Sequence, residues 1–201
     1  MSHDKHQEFF DRLAAESDLM FTAVDLEFLQ HIVDQLDIRQ GWDILDLGCG
    51  TGVLFDMLRR RVGETGSVTG VDFSFQMAQR ANLNFPFPNV AVVDADAQML
   101  PFRDSAFDMA VAFSAFPHFS DQQKALLETH RVLKPRARFY IIHLESSRDL
   151  NQLHQRIGGA VASDLIPPGE RLREMFSTSK FVEVTIEDHP GLYLATAMNL
   201  K

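Results

Sequence analysis

The chain contains 201 residues, 45% of them hydrophobic, and is therefore long and apolar enough to bury one substantial core. Nineteen basic against 28 acidic residues give a formal net charge of −9, which argues against a polyanionic partner such as nucleic acid. The single cysteine, Cys49, excludes an internal disulfide and a metal site built from several thiolates.

The N-terminal segment is polar, and nowhere do about eighteen apolar residues follow one another. We therefore expect a soluble, cytoplasmic protein with no membrane partner. No repeat, low-complexity tract or Pro/Gly/Ser-rich linker divides the sequence. These features predict a single domain over residues 1–201.

Apolar residues recur at helical spacing in segments 7–15 and 23–36, and they predict N-terminal helices within residues 1–38. Strand-like apolar runs then alternate with helical patterns. The predicted strands cover residues 44–47, 68–71, 90–93, 106–112 and 139–144, and the predicted helices between them cover 53–62, 75–84 and 121–133. Alternation of this kind is typical of a parallel, doubly wound sheet.

The C-terminal part breaks this alternation. Two strand-like runs, 181–187 and 192–198, flank the turn residues His189, Pro190 and Gly191, and they predict an antiparallel hairpin at the sheet edge. The complete prediction is an α/β fold. Its doubly wound, mostly parallel seven-stranded sheet ends in an antiparallel hairpin and is preceded by N-terminal helices.

A glycine loop follows the first predicted strand directly. The sequence from Ile44 reads Ile-Leu-Asp-Leu-Gly-Cys-Gly-Thr-Gly and leads into a helical pattern, which indicates a strand, a tight turn and a helix. Alternate glycines would let a small ligand lie against the main chain. A dinucleotide fingerprint needs its third glycine one residue later, where Val53 stands. Inside this loop, Cys49 is better explained as a small packed residue than as a nucleophile.

At this loop the chain resembles the Rossmann-like S-adenosylmethionine-dependent methyltransferases. The terminal hairpin supports the same resemblance, which extends over about residues 40–200. The resemblance implies S-adenosyl-L-methionine as the cofactor. It assigns the cofactor-binding loop to Asp46, Gly48, Cys49, Gly50 and Gly52.

Asp72 closes the second predicted strand, twenty residues beyond Gly52. By the resemblance, its carboxylate would accept hydrogen bonds from both ribose hydroxyls. An N-cap for the following helix is the alternative role, for which Ser74 is the better candidate. Phe73 would lie against the adenine ring.

A second element similar to the family follows the third predicted strand, where residues 94–102 read Asp-Ala-Asp-Ala-Gln-Met-Leu-Pro-Phe. By this match, Asp96 would accept from the adenine amine and the Ala97 N–H would meet a ring nitrogen. Asp94 is expected to be a capping or solvated carboxylate. Phe113, at the exit of the fourth strand, completes the predicted cofactor contacts.

The exit of the fourth strand lacks the Asn/Asp-Pro-Pro-Tyr motif of enzymes that methylate amines of DNA and protein. It is similar to the small-molecule members, especially the quinone-biosynthesis methyltransferases. We therefore expect a small-molecule methyl acceptor. The sequence specifies neither the acceptor nor the oligomeric state.

The candidate catalytic residues follow the ends of the fourth and fifth strands, because ligands of open α/β sheets lie beyond the carboxyl ends of the strands. They are His118, His143, Glu145 and His154, with Asn151 expected over the same space. A base or a substrate hydrogen bond, a metal site and a structural role are all open for these side chains, and no metal ligand is assigned.

Two finer expectations concern the same region. Glu145 would hold the His143 imidazole in one tautomer, because alternate strand residues project to one side. The stretch 146–170 is longer than a routine connection and is predicted to cover the acceptor pocket as a lid. The remaining histidines are expected at the surface or in turns: His3, His6, His31 and His189.

The sequence therefore favours a small-molecule methyltransferase, with two alternatives. A nicotinamide-dependent dehydrogenase is opposed by Val53 and by the terminal hairpin. A catalytically idle, cofactor-binding module that supports a partner protein is opposed by the complete set of cofactor residues.

Overall fold

A computed structural model describes residues 3–15 and 21–201, and the predicted domain extends beyond these residues at 1–2 and 16–20. The described helices are α1 (His3–Leu13), α2 (Ala23–Gln35), α3 (Phe55–Val62), α4 (Phe75–Asn84), α5 (Gln122–Val132), α6 (Ser147–Ile157) and α7 (Gly169–Thr178). The strands are β1 (Asp43–Leu47), β2 (Ser67–Asp72), β3 (Val90–Asp94), β4 (Phe107–Phe113), β5 (Leu133–His143), β6 (Phe181–His189) and β7 (Leu192–Asn199).

The seven strands form one sheet in the order β3-β2-β1-β4-β5-β7-β6. Strands β1 to β5 pair in parallel, whereas β7 is antiparallel to both β5 and β6. The predicted fold class, including the terminal hairpin, is confirmed. The strand order reverses between β1 and β4, and this is where open α/β sheets form ligand crevices.

Side chains of successive strand residues alternate between two buried layers, one on each face of the sheet. In β1, Leu45 and Leu47 pack in the layer that contains Leu126 of α5, whereas Ile44 packs in the layer that contains Leu58 of α3. Burial on both faces explains why the parallel strands read as nearly continuous apolar runs.

Hydrogen bonds at the helix starts fix where several elements begin. The Thr22 hydroxyl accepts from the Asp25 N–H, and the Asp25 carboxylate accepts in return from the Thr22 N–H at 2.8 Å, which forms a capping box. Ser74 caps α4 by accepting from the Met77 N–H. Among the described residues, no helix is both long and apolar enough to span a lipid bilayer.

The segment 146–170 is an ordered part of the fold. It contains α6, a short 3₁₀ turn (Gly159–Val161) and the first residues of α7. Leu150 and Ile166 are buried in the layer that also contains α5 and α7. Its motion as a lid stays a prediction.

Gly70 in β2 illustrates how tightly the cofactor-loop side of the sheet is packed. A Cβ at this position would collide with the Phe55 ring and with Cys49 Sγ. We expect Gly70→Ala to lower the free energy of unfolding by about 1–3 kcal/mol, because the added methyl overpacks a filled interior. Urea denaturation followed by circular dichroism measures the loss.

Gly169→Ala is the matched control, because a Cβ there would meet only Ile186 Cδ1, at 3.7 Å. This variant should stay within about 0.5 kcal/mol of the parent. Equal stability of both variants would contradict the packing described for β2.

Candidate functional site

A cavity of about 740 Å³ opens at the carboxyl ends of the strands. One wall comes from the ends of β1, β2 and β3 and contains Gly48, Asp72, Phe73, Asp96 and Ala97. The opposite wall comes from the exit of β4, the start of α5, the segment before α7 and α7 itself. It includes Pro117, His118, Phe119, Asp164, Leu165, Arg171 and Met175.

The glycine loop is anchored to the end of β2. The Gly48 and Cys49 N–H groups donate to the Val71 carbonyl at 2.7 and 3.0 Å. Gly48 has a φ of 70°, and a Cβ there would collide with Cβ of Ala115. Glycine is therefore required at this position for two reasons: the backbone has a positive φ, and the β4 exit approaches too closely for a Cβ.

Asp72 connects this loop to α4. Its carboxylate accepts from the Gly50 N–H and from the Ser74 N–H, both at 2.9 Å. Ser74 is the N-cap of α4, so Asp72 is available for the ligand role that the sequence predicted. Burial raises the pKa of Asp72 to about 6, although the two backbone hydrogen bonds oppose the shift.

Asp46 is buried beside Asp72 and lies behind the cavity wall. Burial and the charge of Asp72 raise its pKa to about 8. Its Oδ2 has no hydrogen-bond partner among the described residues. The pKa of the Cys49 thiol is also raised, by burial and by both carboxylates, and this suits a buried packing residue better than a nucleophile.

Asp96 and Ala97 lie together on the cavity wall after β3. The Asp96 carboxylate accepts from the Gln98 N–H at 2.9 Å and from the Gln98 side-chain amide at 2.8 Å. Asp94, two residues earlier, is exposed, in agreement with the solvated role expected for it.

The opposite wall is organised around Asp164. Its carboxylate accepts from His118 Nδ1–H at 2.7 Å and from His6 Nε2–H at 2.9 Å. His154 Nδ1–H donates to the Asp164 carbonyl at 2.5 Å. His118 and His154 therefore lie together, with ring centroids 4.9 Å apart.

The expectation that His6 lies at the surface is wrong. His6 lines the cavity, because α1 packs against α4 and against the 3₁₀ turn Gly159–Val161. From α1, Asp11 accepts from the Ser74 hydroxyl at 2.5 Å, while the Phe10 ring contacts both Phe73 and His118, with centroids 5.6 and 4.9 Å away. His31 and His189 are exposed as expected, and the His3 side chain lies outside the described part of the structure.

His143 lies behind the cavity wall and is 1% exposed. The predicted pairing with Glu145 is wrong, because neither ring nitrogen of His143 has a hydrogen-bond partner among the described residues. Burial lowers the pKa of His143 to about 3, so the ring is neutral at ordinary pH. Glu145 is half-buried, and its pKa is raised by burial and by the charge of Asp25.

Other predicted site residues support the walls from outside the cavity. Gly50, Gly52 and His154 do not line it, and the buried Phe113 packs its ring against Phe21 at 5.1 Å. Asn151 braces the segment before α7, since its side chain donates to the Ile166 carbonyl and accepts from the Ile166 N–H. The described residues include no group of three or more His, Cys, Asp or Glu arranged to hold a metal ion.

Sequence reasoning missed His6, Asp164 and Arg171. His6 and Phe10 are four residues apart, which is about one helical turn, so the sequence already indicated that both face the same side of α1. Asp164 stands among apolar residues within segment 146–170, an unusual place for a carboxylate without a partner.

The pKa of His143 predicts a pH-dependent cost to stability. Below about pH 6.5 its ring binds a proton in the unfolded chain but not in the folded one, so stability is lost as pH falls toward 3. We expect His143→Leu to remove part of this loss, at up to about 1.4 kcal/mol per pH unit. Urea denaturation between pH 4.5 and 8, in about half-unit steps, measures the slope.

His31→Gln, on the exposed face of α2, is the control and should keep the parent's pH dependence. An unchanged slope in His143→Leu would show that His143 is protonated in the folded chain.

Comparisons with known proteins identify relatives of this chain. A model of the methyltransferase domain matches residues 45–141. The ubiquinone/menaquinone biosynthesis C-methyltransferase UbiE of Psychromonas ingrahamii is 31% identical over 191 residues, which cover 90% of this chain and 75% of that protein. The 2-phytyl-1,4-naphtoquinone methyltransferase of Nostoc sp. is 37% identical over 147 residues, which cover 69% of this chain and 64% of that protein.

The chain spans 47% to 64% of the length of the three naphtoquinone methyltransferases that it matches. Among solved structures, a SAM-dependent methyltransferase from Aquifex aeolicus superposes with a TM-score of 0.67 at 20% identity. That superposition covers 90% of this chain and 100% of the Aquifex chain. At this identity the likeness concerns the fold alone.

Proposed function

Since this chain belongs to the Rossmann-like S-adenosylmethionine-dependent methyltransferases, we propose that it transfers the methyl group of S-adenosyl-L-methionine to a small-molecule acceptor. One observation carries this proposal. A single cavity joins the glycine-loop wall, with Asp72 and Asp96, to a second wall that carries a histidine and a carboxylate. A cofactor and an acceptor can therefore meet in it.

The residues of the glycine-loop wall fit this cofactor. Carboxylates only accept hydrogen bonds, whereas the ribose hydroxyls and the adenine amine can donate them. Asp72 and Asp96 can therefore accept from these groups of the cofactor. Asp46 and Asp72 are both buried with raised pKa values, and Oδ2 of Asp46 has no partner among the described residues. A ligand that carries ammonium and sulfonium charges would stabilise their ionised forms.

When bound, the cofactor supplies an electrophilic methyl group on a positively charged sulfur. The chain's own residues then need to align the acceptor and to exclude water. Phe10 lies between Phe73 on one wall and His118 on the other, so α1 links the two walls through this ring. His118 is available to accept a proton from an acceptor that must lose one.

The relatives' names support a ring-shaped acceptor, since those proteins are named for naphtoquinone, menaquinone and ubiquinone. The apolar part of the cavity wall suits a ring of this kind: Pro117, Phe119, Leu165, Pro167 and Met175.

Cofactor affinity tests the assignment of the adenine carboxylate. We expect Asp96→Ala to weaken binding of S-adenosyl-L-methionine by about 1.5–3 kcal/mol, roughly ten- to more than a hundredfold, because a charge-assisted hydrogen bond is lost. Isothermal titration calorimetry measures the change. The exposed neighbour provides a matched control, since Asp94→Ala removes a carboxylate of the same strand exit and should stay within about twofold.

Transfer itself is tested with methyl-labelled cofactor and a panel of quinol, phenol and amine acceptors. Label in an acceptor product, together with release of the demethylated cofactor, supports the proposed function. Tight cofactor binding without transfer to any acceptor supports the idle module. Binding of a nicotinamide cofactor in preference to S-adenosyl-L-methionine would contradict both.

A further inference from the structure

The Asp164 carboxylate fixes the tautomer of His118. A carboxylate can only accept, so the 2.7 Å contact requires the proton of His118 on Nδ1. The Nε2 atom then carries the lone pair. No hydrogen bond joins this nitrogen to a described residue, and His118 lines the cavity. The geometry is that of an oriented general base.

Asp164 is itself held rigidly from behind. It is 7% exposed, and its carbonyl accepts from His154 at 2.5 Å while its N–H donates to the Val161 carbonyl at 3.0 Å. Two residues later, both backbone polar groups of Ile166 bond to the Asn151 side chain. Helix α6 therefore sets the position of the carboxylate before any ligand enters.

Charge explains why the carboxylate matters to a buried base. The titratable groups that face His118 are Asp164, His154 and His6, with His143 farther behind. Burial lowers the pKa of His118, and Asp164 acts in the opposite direction. When His118 takes up a proton, the pair changes from one net negative charge to none, so Asp164 stabilises the protonated ring that proton transfer creates.

We propose that Asp164 is a positioning residue that makes His118 Nε2 the proton acceptor for an aromatic hydroxyl of the methyl acceptor. The inference rests on the proposed function. It adds the nitrogen of His118 that acts and two residues, Asp164 and His6, that sequence reasoning did not select.

The chemical step balances without a further reactant. The hydroxyl proton moves to His118 Nε2, and the oxygen electron pair forms the new bond to the methyl carbon. The bond between that carbon and sulfur breaks, and its electron pair stays on sulfur, which becomes a neutral thioether. The same deprotonation activates the ring carbon beside the hydroxyl. After attack by that carbon, its ring proton moves to the ring oxygen and restores the hydroxyl, while the first proton stays on His118 Nε2.

His6 also acts on the pKa of His118, in the direction opposite to Asp164. Its Nε2–H shares the Asp164 carboxylate with His118, and the charge of His6 lowers the pKa of His118. Removing the charge of His6 should therefore move the titration of His118 upward, whereas removing the charge of Asp164 should move it downward. The opposite signs separate an electrostatic role from general damage to the fold.

The experiment uses the full chain, methyl-labelled S-adenosyl-L-methionine and 1,4-dihydroxynaphthalene as the acceptor probe. We expect kcat to fall as pH falls through the titration of His118. Asp164→Asn should move this acidic limb down by about one pH unit or more and lower the maximal kcat about ten- to a hundredfold. His6→Gln should move the limb up, and Asp164→Glu should restore part of the rate.

His118→Gln should abolish the limb. Cofactor affinity, measured by calorimetry on each variant, should remain within about threefold, since these residues lie across the cavity from the cofactor wall. A limb that stays at the same pH in Asp164→Asn would overturn the role of Asp164. Normal cofactor binding without methylation of the probe would overturn the aromatic hydroxyl as the proton donor, whereas loss of cofactor binding in the unaltered chain would instead refute the proposed function.

Discussion

The hydrogen bonds that tie the glycine loop to the end of β2 are the interaction on which the site depends. Val71 accepts from two loop N–H groups, and the Asp72 carboxylate accepts from Gly50 and from Ser74 at the start of α4. One carboxylate therefore fixes the loop after β1 and the helix after β2. Because β1 and β2 are neighbouring parallel strands, this fixation also defines the wall against which a nucleoside can lie.

This fixation carries an electrostatic cost. Asp46 and Asp72 are buried side by side, and the pKa values of both are raised, to about 8 and about 6. At neutral pH, at least one of these two carboxyls is therefore either protonated or ionised at a cost in free energy. A cationic ligand near the pair lowers that cost. The buried pair accordingly makes affinity for such a ligand depend on pH, with binding favoured as the carboxyls ionise.

The cofactor half of the site was predictable from sequence, and the acceptor half was much less so, for a physical reason. Local pattern and strand order place these residues, because each lies within two residues of a strand end: Asp46, Gly48, Asp72 and Asp96. The mostly parallel sheet and the terminal hairpin were predicted correctly for the same reason. Asp164 and His6, by contrast, are 158 positions apart in the chain and meet only because α1 packs against α4 and the 3₁₀ turn Gly159–Val161. No local pattern encodes such a contact.

His143 shows the reverse case, because sequence reasoning placed it in the site and the structure buries it behind the cavity wall. Its position at the end of β5 was read correctly, but strand position alone does not decide whether a side chain enters a cavity or the core. Here β5 is paired on both edges, and His143 lies opposite Tyr193 of β7, with ring centroids 6.1 Å apart and helices covering the face. His118 follows a strand end too, yet it leaves the sheet in a 3₁₀ turn that carries it to the wall.

Helix α1 joins the two halves into one unit. It reaches the cofactor wall through Asp11 and Phe10, and the acceptor wall through His6 and Phe10. Contacts to both walls mean that displacement of α1 would break the Phe10 contacts and release His6 from Asp164 in the same movement. The contact between the two walls and the electrostatic environment of His118 are therefore coupled through a single element. A proton transfer to His118 depends on both, because the base must be positioned beside the acceptor and must have a suitable pKa.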